Sequence, residues 1–317
     1  MPNPVPGDFH RDSFLTNILA GYRMPGLIAN QIYPEVPVGK QSDAFPTIER
    51  AQWWKVPDTL RAPGAEPKRA SYTVGSDQFV CRNYELQHDV WFESVANADV
   101  PHAPLQRGGE FLKDQLDLDY EVRVRNKCMS SVGSSLARTG AQAWDNFGGS
   151  APMDDIDIAT EAIRGGTGVS PNRAVMSAKL WKKLRRHPDI VQLVNPIGVG
   201  GMVSLAAFAD LLGVERVLVG QSIQNVGEEG GAAVFRDVWS TNLLLYYVTP
   251  TPGIQVPTYG YTFTWRGPEI GTGAPGAYQI MTRRNSSRKV VEMQTGYYSD
   301  EKTVFGELAF RIDTGVV

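Results

Sequence analysis

The stretch WWKVPDTLRAPGAEPKRASY, residues 53–72, decides how the rest of the chain is read. Two adjacent indoles, Trp53 and Trp54, open it, and no apolar side chain larger than Leu60 follows until Tyr72. Prolines at 57, 63 and 67 remove backbone donors and push their predecessors toward extended backbone, which excludes a helix. So few large apolar groups cannot bury a core of their own. An extended cationic excursion carrying Arg61, Lys68 and Arg69 needs another surface to pack on.

The flanks turn this excursion into a hairpin. FPTIERAQWW (45–54) reads as a strand going out and YTVGSDQFVCRNYELQHDV (72–90) as one returning. The turnaround TLRAPGAEPKR is polar and long for a hairpin tip, the kind of loop that is functional or disordered. Upstream, residues 1–45 are proline-rich with short apolar islands, an arm with one short helix near Phe14–Ala20. Downstream, Leu112, Leu116, Tyr120, Val124, Cys128, Val132 and Leu136 recur every four residues, which predicts a helix over 105–136. At 1.5 Å per residue it is about 45 Å long.

From about residue 150 the elements shorten and alternate. DDIDIATEAIR reads as a helix capped by Asp154 or Asp155 and stopped by GGTG. NRAVMS is a buried strand whose Ser177 caps AKLWKKLRRH, a helix that Pro188 terminates; Ser204 and Gly213 bracket another. VERVLVGQSI, VWSTNLLLYYVT, YGYTFTW, YQIMTRR, RKVVEMQTGYY and TVFGELAFRI are strands, the last four an antiparallel tail. The class is α+β.

Composition excludes several functions. The 317 residues are 42% hydrophobic and 21% charged with a net charge of -3, not a polycation built to hold nucleic acid. Cys81 and Cys128 share no metal or disulfide spacing, and no window is apolar enough to span a membrane, so the reading is a soluble, unexported chain with no membrane partner. GTGAPG (271–276) has the glycine spacing of a dinucleotide loop, but a proline lies inside it and a strand-like AYQIM follows where a helix is required. His10, His88, His102 and His187 share no ligand spacing, and His187 reads as a helix C-terminal residue favoured by the dipole. Asp154, Asp155 and Asp157 read as a helix start rather than a calcium loop, KKLRR (182–186) as a solvated face over Trp181 and Leu184, and RRNSSRK (283–289) as a turn. No catalytic constellation, cofactor site or metal site emerges.

The order of the pieces resembles the major capsid proteins of tailed bacteriophages, whose shell fold is shared with herpesviruses and encapsulins. The resemblance rests on IANQIYPEVPVGKQSDAFP (28–46), DTLRAPGAEPKR (58–69), NRAVMSAKLWKKLRRHPDIV (172–191), VWSTNLLLYYV (238–248) and YGYTFTW (259–265). It implies an N-terminal arm (1–45) and an extended hairpin loop (46–90). It further implies a peripheral domain on a spine helix (91–146 and 257–302, spine 105–136) and a mixed α/β axial domain (147–256 and 303–317). The implied role is structural: pentamers and hexamers closing an icosahedral head around double-stranded DNA, in the virion after assembly in the host cytoplasm. An encapsulin-like compartment shell is the alternative. Partners implied are other copies, scaffolding, portal and decoration proteins, and nonspecific contact with packaged DNA. A built-in scaffold-like prefix is not expected, because folded-looking sequence begins by residue 14. Trp53, Trp54, Arg61, Lys68 and Arg69 are then expected to contact a neighbouring subunit, as aromatic and arginine anchors do.

Overall fold

A computed structural model describes residues 10–21, 26–48, 55–64, 66–71, 73–98, 103–194, 201–228, 230–253, 257–267, 274–275 and 278–316. The arm holds β1 (His10–Arg11), α1 (Ser13–Gly21), α2 (Ala29–Ile32) and β2 (Glu35–Val38). Asp12 opens α1 by accepting the Leu15 N–H at 2.9 Å. The hairpin is β3 (Ser42–Ile48) and β4 (Val74–Val80), which pair antiparallel from Ser42↔Val80 to Ile48↔Val74. The returning run is not one strand. It breaks at Cys81, whose N–H turns to the Gln41 carbonyl at 2.8 Å, and resumes as β5 (Arg82–Trp91), followed by α3 (Phe92–Ala96).

The spine is α4 (Ala103–Ser130), and Leu112, Leu116, Tyr120, Val124 and Cys128 lie buried along it. Val132 and Leu136 do not continue the stripe, a correction to the expected end at 136. The chain leaves the helix because Gly133 N–H bonds the Gly306 carbonyl at 2.8 Å, and a Cβ at Gly133 would lie 2.8 Å from the Glu307 backbone. Leu136 belongs instead to β6 (Ser134–Ala137). At the other end Gly108 is part of the helix, where a Cβ would meet the His88 ring at 2.9 Å. A bare backbone there lets the spine approach β5.

The middle contains α5 (Pro152–Thr167), β7 (Arg173–Ser177), α6 (Ala178–Leu184), α7 (Pro188–Val194), α8 (Leu205–Leu212) and β8 (Arg216–Gly220). Ser177 and Ser204 cap α6 and α8, and Gly213 ends α8 in the left-handed region. Two expectations are corrected, while the GGTG stop holds through its last glycine. Pro152 starts α5, so neither Asp154 nor Asp155 caps it, and the helix runs through Gly165 and Gly166 before Gly168 stops it. Asp155 is a buried carboxylate serving distant donors, Trp144 Nε1 at 2.9 Å and Arg138 Nε at 2.9 Å. Pro188 does not merely end a helix but opens α7, where its missing N–H costs nothing.

The remaining strands are β9 (Ile223–Asn225), β10 (Phe235–Asp237), β11 (Asn242–Tyr246), β12 (Gly260–Trp265), β13 (Gln279–Asn285), β14 (Val290–Thr303) and β15 (Ala309–Asp313). Beside the two-stranded pairs β3-β4 and β9-β10, a first sheet runs β1-β13-β14-β12-β2 with β5 also on β14, and a second runs β6-β15-β11-β7-β8. The tail is antiparallel as read, but the sheets also contain three parallel pairings, β2 with β12, β6 with β15 and β7 with β8. The spine and the arm pack with the first sheet, and α5, α6, α7 and α8 bury Ile156, Leu180, Ile190 and Phe208 in a core with the second.

Glu121 joins these parts. Its carboxylate accepts Ile28 N–H at 3.0 Å and Ala29 N–H at 2.8 Å from the arm, and Trp239 Nε1 at 2.6 Å from the loop before β11. Both oxygens act as acceptors, the behaviour of an ionised carboxylate. Burial pushes its pKa up while those donors pull it back. Glu121→Gln would turn an NH2 group toward one of the donors. It is expected to cost about 1–3 kcal/mol, measured by urea unfolding of the isolated subunit.

Candidate assembly surface

The hairpin is rigid at its root. Phe45 and Phe79 are buried on either strand and pack on Phe263 of β12, with ring centroids 5.4 and 4.7 Å away. The Cys81 thiol points at the Phe263 carbonyl at 3.6 Å. Lys302 Nζ bonds Asp77 at 2.6 Å, and Val80 N–H bonds Asp300 at 2.9 Å, so β14 grips β4 through side chains. Deeper in the first sheet, the Arg123 guanidinium lies 3.4 Å over the Tyr84 ring and bonds the Tyr297 hydroxyl at 2.7 Å. It also pairs with Glu301 at 3.3 Å, tying the spine to both β5 and β14.

Beyond that root the loop lies on nothing among the described residues. Every residue described between 55 and 71 is exposed, Val56 at 91% and Leu60 at 82%. Its visible order is local. Lys68 pairs with Asp58, holding that carboxyl below the usual range, and Leu60 N–H bonds Asp58 at 3.1 Å. Arg61 and Arg69 are exposed and make no ion pair among the described residues. Trp53 and Trp54 lie outside the described residues. Lys68 therefore has a partner in its own loop, which its spacing from Asp58 across two prolines did not announce.

One side-chain pair has the look of a nucleophile. Ser150 Oγ sits 2.9 Å from His187 Nε2. However, Ser150 gives its proton to the Asn146 carbonyl at 2.7 Å, so the imidazole must donate through Nε2 and cannot act as base toward that hydroxyl. His187 follows the C-terminal end of α6, as read, but is fully buried against Phe147, with ring centroids 5.2 Å apart. Burial lowers its pKa. Cys81 and Cys128 are free and buried, and burial pushes Cys81 up to about 12, which leaves it an unreactive thiol. No helix among the described residues is long and apolar enough to cross a membrane.

Residues 132–210 match the family model described as phage major capsid protein E. The chain is 28% identical over 263 residues to the major capsid protein of Pseudomonas phage JBD67, covering 81% of this chain and 84% of that one. It is 26% identical over 264 residues to that of Burkholderia phage BcepMu, with the same coverages of 81% and 84%. Among solved structures it is similar to a phage-related protein from Bordetella bronchiseptica, with TM-score 0.74, 21% identity, and 98% and 99% of the two chains covered. The capsid of cyanophage P-SCSP1u shares the fold at TM-score 0.57 and 9% identity, covering 92% and 90%. Both curated relatives are named as major capsid proteins, a structural rather than a catalytic role.

The site predicts two outcomes. Phe79→Ala removes the ring stacked on Phe263 and is expected to cost about 3–5 kcal/mol, read by urea unfolding. The imidazole of His187 sits below its ordinary 6.5 in the folded chain, so the unfolded chain binds that proton more tightly. Its contribution is present above pH 6.5 and lost as pH falls toward the depressed value. His187→Gln should flatten this part of a melting-temperature profile; an unchanged slope would show that another group carries it.

Proposed function

Taking the chain as the tailed-phage major capsid protein that these likenesses support, we propose that it closes an icosahedral head as pentamers and hexamers around double-stranded DNA. In this reading the first sheet and the spine form the peripheral domain, and the second sheet with its helices forms the axial domain that meets neighbours around symmetry axes. The subunit assembles in the host cytoplasm and ends in the virion, where scaffolding, portal and decoration proteins are its further partners.

The observation that carries the proposal is the contrast within one hairpin. Its root is clamped by buried rings and ion pairs, while its tip exposes Val56 and Leu60 at 91% and 82% and carries Arg61 and Arg69 unpaired among the described residues. A loop held out so firmly and covered so little serves another molecule of the same kind. Trp53 and Trp54 are proposed anchors beside it, with Lys68 presented on its Asp58 partner. Contacts repeated by every subunit sum to a closed shell even where each is modest. DNA contact is nonspecific and carried by scattered Lys and Arg, since the chain has a net charge of -3.

Deleting residues 58–69 should change subunit stability by less than about 1 kcal/mol, because the tip buries almost nothing, yet abolish closed shells in sedimentation. Arg61→Glu with Arg69→Glu is the milder version and should lower shell yield with an unchanged melting temperature. Normal shells from the deleted chain would refute the role of the tip. For DNA, affinity should fall steeply between low and physiological salt with less than about tenfold preference among duplex sequences.

A further inference from the structure

β5 is an edge strand of ten residues. It pairs with β14 on one side, and among the described residues no strand pairs with its other side. Two bonds fix which backbone groups face that open side. Phe92 N–H meets the Lys289 carbonyl at 2.9 Å, in step with the β5–β14 register, and Asp12 N–H meets the Ile280 carbonyl at 3.1 Å on the far side of β13. Hydrogen-bonded pairs alternate along an antiparallel ladder. The N–H and C=O groups of Asn83, Glu85, Gln87 and Asp89 therefore point away from β14.

An edge of this length is about 34 Å of bare backbone, which proteins usually shorten, bulge or cover. Here it borders two clefts against the spine, of about 710 Å³ at the Trp91 end and about 620 Å³ at the Arg82 end. Apolar side chains stand open along it: Leu86 at 39%, Trp91 at 56% and, on the spine, Phe111 at 53%.

We propose that β5 pairs antiparallel with β5 of a second copy about a twofold axis at Leu86, fusing the sheets of two subunits into one. This rests on the shell reading and names a surface that two copies share. The sequence is self-complementary in this register. On the face away from the spine, Asn83 meets Asp89 and Glu85 meets Gln87, an amide opposite a carboxylate each time. Sliding by one pair either way sets Glu85 against Glu85 or Glu85 against Asp89, which like charge opposes. On the spine face Leu86 meets Leu86, and Tyr84 of one copy meets His88 of the other. Phe111, whose ring centroid is 5.8 Å from that of His88, lies alongside. An isologous strand pair satisfies the bare backbone of both copies at once.

The test is Leu86→Cys in assembled particles under mild oxidation, read by non-reducing electrophoresis. Position 86 faces itself in a non-hydrogen-bonded pair with Cα atoms about 4.5 Å apart, within disulfide reach. The native thiols are buried and do not compete. Most subunits should become covalent dimers, at least about tenfold faster than with Asn83→Cys, which lies off the axis. In unsubstituted protein the amides of residues 83, 85, 87 and 89 should exchange about 100-fold more slowly in particles than in free subunits. Particles whose Leu86→Cys subunits stay uncrosslinked, or whose edge amides exchange unchanged, overturn the pairing. So does a Leu60→Cys, Leu86→Cys chain that links 86 to 60, which would put a neighbour's hairpin tip in the slot. Failure of the native chain to form any particle would instead remove the shell reading.

Discussion

The carboxylate of Glu121 is where the subunit is joined. It sits at the middle of the spine, on the face that carries Tyr120 and Val124 to either side of it, and takes N–H groups from α2 and from the Trp239 indole. The arm and the loop feeding β11 are separated from it by about a hundred residues each way, so this contact closes two long loops of chain. An acceptor buried among donors is costly to lose, since each orphaned N–H forfeits its solvation. Gly220 shows how tightly the site is built, because a Cβ there would lie 2.1 Å from the Trp239 ring.

With the arm, spine and second sheet joined at that point, the first sheet is held to the same spine. Arg123, two residues on from Glu121, holds Tyr84, Tyr297 and Glu301 and so fixes β5 and β14 to the spine. The phenylalanine contacts on Phe263 then carry this rigidity outward into β3 and β4. What leaves the body is a stiff root with an uncovered tip. The same construction leaves β5 with one side of its backbone unpaired among the described residues. Both features are liabilities for an isolated chain, and in the proposed shell both become contacts once copies meet.

Much of this was legible in the sequence where the signal is local. Prolines 57, 63 and 67 and the scarcity of apolar residues marked the exposed loop, the four-residue spacing marked the buried stripe of the spine, and Ser177, Ser204 and Gly213 marked helix ends. The misreadings share one cause, which is that a distant partner decided the matter. The spine stops at Ser130 because Gly133 must lie against Gly306 and Glu307. Asp155 looks like a cap until Trp144 and Arg138 are seen to need its oxygens. His187 looks like a charged helix end until the fold closes over it beside Phe147. The parallel pairing of β2 with β12 joins segments more than two hundred residues apart, beyond any periodicity.

The central claim is that this chain is a shell subunit whose projecting hairpin is completed by a neighbour. The most direct measurement is a cryo-electron-microscopy reconstruction of particles assembled from the purified protein. The account predicts closed icosahedral shells in which density for residues 55–71 lies against an adjacent subunit, with Val56 and Leu60 buried there. Shells in which that loop folds back on its own subunit, or a protein that stays monomeric at every concentration, would contradict it.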